Sequence, residues 1–213
     1  MGRGPVGAPA IIRYVNNSLA SVDDVSGIDG SMILIKTLTA SSSATLSFVH
    51  GTSDVVLDNT YPLYVFKYIN VHPADNAIAF HFNGTTDGSN WNVTKTTTHI
   101  RAYHLEDDTG AAVDYLAAHD LAQGTGFQAL SNDVGNDADQ QCSGTLKLFN
   151  PSSTTFVKHF IAETQTAHGA NYPQPSYVAG YFNTTSAVTG IQFKFNSGNI
   201  DAGSIKLYGI KDS

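Results

Sequence analysis

Cysteine, tryptophan, methionine and charge are all scarce in this chain. Its 213 residues include one Cys, one Trp and two Met. A lone Cys142 excludes an intrachain disulfide and leaves no cysteine pair for a structural zinc site. No stretch approaches the ~18 apolar residues of a membrane-spanning helix, so no membrane insertion is expected. Only 14% of residues are charged, against about 25% in an ordinary domain. The net charge is −7, with 11 Lys and Arg that form no cluster. A nucleic-acid partner is therefore not expected, because phosphate binding needs a basic stripe. Residues 1–10 hold no apolar run of roughly 7–15 residues, so no secretory leader is expected there. Sequons at Asn16, Asn83, Asn92 and Asn183 read as chance occurrences in a Thr/Asn-rich chain.

Ser, Thr, Asn and Gly stand where charge would be, interleaved with short alternating apolar runs. Ala44, Leu46 and Phe48 alternate with Thr45 and Ser47. Tyr61 to Val71 carries large residues on both faces, and Ile78, Phe80 and Phe82 share one face. Met32 to Ile35 is apolar throughout, the pattern of a central strand. Further strands are predicted at 94–104, 144–149, 155–162, 177–182, 190–195 and 204–210. Period-2 runs separated by Gly/Asn/Asp/Ser clusters predict an all-β fold of two packed antiparallel sheets. The predicted core is Ile33, Ile35, Phe48, Phe66, Phe80, Phe82, Leu148, Phe160, Phe193 and Leu207. One segment departs from the pattern. Val113, Leu116, Ala117 and Leu121 have helical spacing after a capping Thr109, which predicts at most one short helix, within 109–122.

Two divisions are predicted: an extended N-terminal arm and linker over 1–30, and the sandwich over 31–213. Residues 1–10 are Gly/Pro-rich, and Pro5 and Pro9 keep them extended. Ile11, Ile12, Tyr14 and Val15 form a short β-prone run suited to adding onto a neighbour's sheet edge. They are the candidate anchor.

Chemistry-bearing groups are scattered. Histidines stand at 50, 72, 81, 99, 104, 119, 159 and 168 without a metal-ligand spacing. Asp133, Asn136, Asp137 and Asp139 lack the spacing of a calcium loop. No Gly-x-Ser-x-Gly elbow is present. Glu106, Asp107, Asp108 and Glu163 are the carboxylates in view, and a glycosidase pair would stand roughly 5–9.5 Å apart across a cleft. No catalytic residue, metal or cofactor is assigned. Phe80 to Trp91 contains Asp87-Gly88, which reads as a hairpin turn with an aromatic plug. It resembles a turn recurrent in carbohydrate-binding sandwiches, and Trp91, Tyr172 and Tyr177 are the candidate glycan contacts.

Thr189 to Lys211 is similar to the closing strands of jelly-roll virion proteins of tailed bacteriophages, marine ones especially. There a strand ends in Ser/Asn-Gly, and the last strand reads Ile-x-Leu-Tyr-Gly. Thr94–Thr98, Arg101–His104 and Gly144–Ser152 look like the same proteins. The resemblance implies a jelly-roll sandwich located in the virion. The implied partners are other capsid or tail proteins and copies of itself. It carries no catalytic residue. The leading expectation is a non-enzymatic virion structural protein, a capsid decoration or head-surface protein. The alternative is a glycan-binding, lectin-like module of a tail fibre or receptor-binding protein, with a host-surface glycan as partner. A small hydrolase or lyase acting on polysaccharide is the third reading.

Overall fold

A computed structural model describes residues 12–15, 18–22 and 31–211. These residues form strands and connections and contain no helix. Strands β1 (Ile12–Val15) and β2 (Ser18–Val22) pair antiparallel in a sheet of their own. The remaining strands are β3 (Met32–Thr39), β4 (Leu46–Val49), β5 (Leu63–Pro73), β6 (Phe80–Thr85), β7 (Lys95–His104), β8 (Ala111–Tyr115), β9 (Gln128–Ala129), β10 (Cys142–Phe149), β11 (Lys158–Ala167), β12 (Pro173–Phe182), β13 (Gly190–Phe195) and β14 (Ile200–Ile210). They make two antiparallel sheets. The larger has the order β3-β14-β5-β10-β11-β12-β7-β8, and the smaller β4-β13-β6-β9.

The sheets meet face to face through aromatic rings. Tyr64, Phe66 and Tyr68 alternate along β5 and are fully buried. They face Phe48, Phe80, Phe193 and Phe195 of the smaller sheet. Phe48 and Phe66 lie 5.3 Å apart edge-on, Tyr68 and Phe80 5.4 Å, and Phe82 and Phe160 5.0 Å. Close approach depends on missing Cβ atoms, as at Gly144 and Gly209. The Tyr68 ring and the Glu163 carbonyl occupy the space above Gly144, and the Tyr61 ring occupies that above Gly209. Eight of the ten predicted core residues are fully buried, while Ile33 and Ile35 are only half-buried.

Four readings are corrected. The 109–122 helix is absent: Ala111–Tyr115 is β8, paired with β7. It is an edge strand whose large residues Val113 and Tyr115 alternate outward, Val113 being 76% exposed, so its apolar residues mark no buried face. β3 is an edge strand, not a central one, and its Leu34 is 53% exposed. Ala44 is exposed and precedes β4, where Leu46 and Phe48 alone face inward. Asp87-Gly88 is not a hairpin turn, because β6 and β7 belong to different sheets. Gly88 does have φ +81, and the Asp87 carboxylate accepts the Ser89 and Asn90 N–H groups, fixing a crossover between sheets.

Candidate functional site

Three connections meet at one end of the larger sheet. The β7–β8 turn is closed by the Leu105 N–H donating to the Gly110 carbonyl at 2.8 Å. Asp107 accepts from the Thr109 N–H and hydroxyl, which holds its carboxyl below the usual range. The β11–β12 turn is closed by the His168 N–H donating to the Tyr172 carbonyl at 3.0 Å. The third element is the β9–β10 connection. Its Gln140 is 4% exposed and ties this connection to the β11–β12 turn. The Gln140 Nε2 donates to Asn171 Oδ1 at 2.7 Å and the His168 carbonyl at 3.2 Å, while its Oε1 accepts the Asp137 N–H.

Tyr172 is the centre of this cluster. Its ring stacks on His168 at 4.0 Å and 16°, and Tyr103 lies 5.7 Å away. His168 is itself fixed: Nδ1 accepts the Ala170 N–H at 3.0 Å, so Nε2 carries the hydrogen that faces Asp133 at 3.4 Å. Burial lowers the His168 pKa, opposed by the Asp133 charge. Two depressions adjoin here. One of 290 Å³ is bordered by Glu106, Asp139, Gln165, His168, Asn171 and Tyr172. The other, of 340 Å³, shares Glu106, Asn171 and Tyr172 and adds Leu105, Asp107 and Ala170.

A second feature is the outer face of the larger sheet. Cross-strand register aligns Leu34, Tyr208, Val65, Lys147, Ile161, Ala179 and Thr98 in one row. A parallel row holds Lys206, Lys67, Thr145, Glu163, Tyr177, Ile100 and Tyr115. Among the described residues, every exposed large hydrophobic except Phe156 lies on this face. A groove of 450 Å³ runs over Ala179 and Gly180 between Ile161 and Thr98. Like charges stand opposite each other at Lys67 and Lys206, an arrangement that is unfavourable unless something else compensates. The Lys67 ammonium lies 5.2 Å from the Tyr208 ring.

The candidate glycan contacts do not gather. Tyr172 immediately precedes β12, and Tyr177 stands mid-strand on the outer face, 54% exposed. Trp91 lies against Gly190, just before β7, whose first residue pairs with the last residue of β12. Trp91 and Tyr172 thus lie at opposite ends of a ten-residue strand, roughly 30 Å apart along it. Of the candidate anchor, Ile12, Tyr14 and Val15 lie in β1, while Ile11 lies outside the described residues. Glu106 and Asp107 belong to the Tyr172 cluster, Asp108 contacts His104 at 3.0 Å, and Glu163 stands on the outer face. Among the described residues no group of three or more His, Cys, Asp or Glu side chains is placed to hold a metal ion. Asn83 is fully buried, with its amide donating to the Trp91 and Thr125 carbonyls, which removes it as a sequon.

Sequence reasoning missed Gln140, Asn171 and His168 as partners of Tyr172. These residues lie on two connections about thirty positions apart, and only the sheet order joins them. Comparisons with protein-family models, curated proteins and solved structures find no match for this chain.

Proposed function

We propose that this chain is a non-enzymatic structural protein of a bacteriophage virion, a capsid decoration or head-surface protein that docks through the outer face of its larger sheet. That face carries the proposal. A solvated antiparallel sheet shows polar residues outward, whereas this one shows Leu34, Ile161, Tyr177, Ile100, Val113 and Tyr115. Eight strands at ~4.8 Å spacing and about eight residues of length give a face on the order of 900 Å². Stable protein interfaces bury about 800 Å² per partner. A protein occupant is favoured by the mix of rigid aromatics and aliphatics on one broad surface.

Strand pairing supports a jelly-roll reading of the sandwich. Without the two hairpins β7–β8 and β11–β12, eight strands remain. They pair first with last: β3 with β14, β4 with β13, β5 with β10, and β6 with β9. A chain doubled into one long hairpin and rolled across two sheets gives this order, as in an eight-stranded jelly roll. The class of assembly, a phage particle, rests on the resemblance of the closing strands.

Co-expression with the particle components tests the reading. The wild-type chain is expected to co-sediment with particles at a fixed copy number. Ile161→Glu and Tyr177→Glu are expected to remain folded and lose incorporation. Full incorporation of both variants would overturn docking by this face.

A further inference from the structure

We propose that the cluster around Tyr172 is a binding site for a neutral saccharide, with the Tyr172 ring as the surface on which a sugar stacks. This goes beyond the docking reading and is independent of it, because the cluster lies at the end of the sheet and not on its outer face.

The ring is held for such a role. His168 backs it at 4.0 Å in a nearly parallel stack, and His168 is locked by Ala170 and Asp133. A ring immobilised before binding loses little conformational freedom on contact. It borders both depressions, of 290 and 340 Å³, each at or near the lower end of the range for small-ligand sites. Two sites sharing one aromatic wall suit consecutive units of a chain.

The polar groups select the ligand's chemistry. Glu106, Asp107 and Asp139 offer acceptors, while Asn171 and Gln165 offer both donors and acceptors. Hydroxyl groups match that set. No Lys or Arg borders either depression, so phosphate, sulfate or uronate groups would face carboxylates without a counter-charge.

Topology adds a separate argument. Both inserted hairpins, β7–β8 and β11–β12, deliver their turns to this cluster. Register puts those turns at the end of the sheet opposite Met32 and Ile210, which pair beside Leu63 and Phe149. A chain docked through its outer face leaves this end of the sheet at the rim of the contact.

An array of immobilised neutral and anionic glycans, with amine-bearing beads alongside, tests the site using the full chain. The expected result is retention on at least one neutral glycan. Tyr172→Ala should weaken it about tenfold or more, and Tyr172→Phe should keep it. Glu106→Gln, on an exposed turn, should weaken retention with an unchanged unfolding midpoint. Trp91→Ala and Tyr177→Ala should leave it unaltered. Three results would each overturn the proposal: no neutral glycan retained, retention untouched by both Tyr172→Ala and Glu106→Gln, or retention confined to anionic or amine-bearing surfaces.

Discussion

The inner face of β5 carries Tyr64, Phe66 and Tyr68, whereas the inner face of β7 carries Lys95, Thr97 and His99. Both sets are buried in the same sheet. Around β5 the opposite layer is the smaller sheet, and rings fill the space between them. Over β7 and the neighbouring part of β12 the cover is instead the chain after β8. There the Thr97 hydroxyl donates to Gln128 Oε1 at 2.6 Å, and Gln174 Nε2 donates to Asn132 Oδ1 at 2.9 Å. Some groups in this region lack partners: both His99 ring nitrogens and the Ser176 hydroxyl are buried without a hydrogen bond among the described residues. Each such group costs about 1–3 kcal/mol. The eight strands paired first with last thus hold the aromatic core, and the inserted hairpins add a polar extension held by side-chain hydrogen bonds. The extension contributes both turns around Tyr172 and much of the outer face. Stability and proposed binding are separated in the fold.

The largest effect is expected in the aromatic region. Phe82 is fully buried against Phe160, Phe182 and Phe193. Phe82→Ala should cost about 3–5 kcal/mol in denaturant unfolding. A loss below about 1 kcal/mol would mean that the rings are not the stabilising core.

Acid should act on the extension. Burial draws His99 down to about 4, helped by His119 and Arg101 and opposed by Asp120. Burial likewise lowers His119, on the chain after β8, and draws His81 of β6 to about 4, with the His119 charge adding to it. These groups bind fewer protons folded than unfolded between about pH 4 and 6.5. Their stabilising contribution is therefore complete above pH 6.5 and lost as the pH falls toward 4. For His99 alone the loss is about 3 kcal/mol. Hydrogen exchange between pH 7 and 4.5 should show 116–134 losing protection before β5 and β14. Simultaneous loss in both regions would erase the distinction.

A smaller effect sharpens the same contrast. His99→Leu removes two unpartnered nitrogens from an interior site. At pH 7 it should leave stability unchanged or raise it, since an apolar group of similar shape leaves nothing unsatisfied. It should also flatten the acid response. A loss like that of Phe82→Ala would show that His99 makes an essential bond.

Much of the aromatic frame was legible in the sequence. Phe80 and Phe82, or Phe193 and Phe195, alternate with polar residues and leave one choice of inward face. The polar extension was not legible, because buried Thr97, Thr164, Thr166 and Ser176 have the composition of a solvated strand face. β8 was misread for a related reason. Its pairing is with β7, and its alternation places the large residues Val113 and Tyr115 outward and Ala112 and Asp114 inward, so its apolar residues mark no core face. Tyr172 was visible as an aromatic beside turn residues. Its neighbours were not, since Glu106, Gln140 and His168 come together only through the order β11-β12-β7-β8.

Hydroxyl-radical footprinting of the protein, free and in assembled particles, tests the central claim most directly. If the outer face docks, Leu34, Ile161, Tyr177 and Tyr115 should lose reactivity in the particle. Tyr172, at the end of the sheet, should keep it. Equal labelling of those four residues in both states would contradict the account.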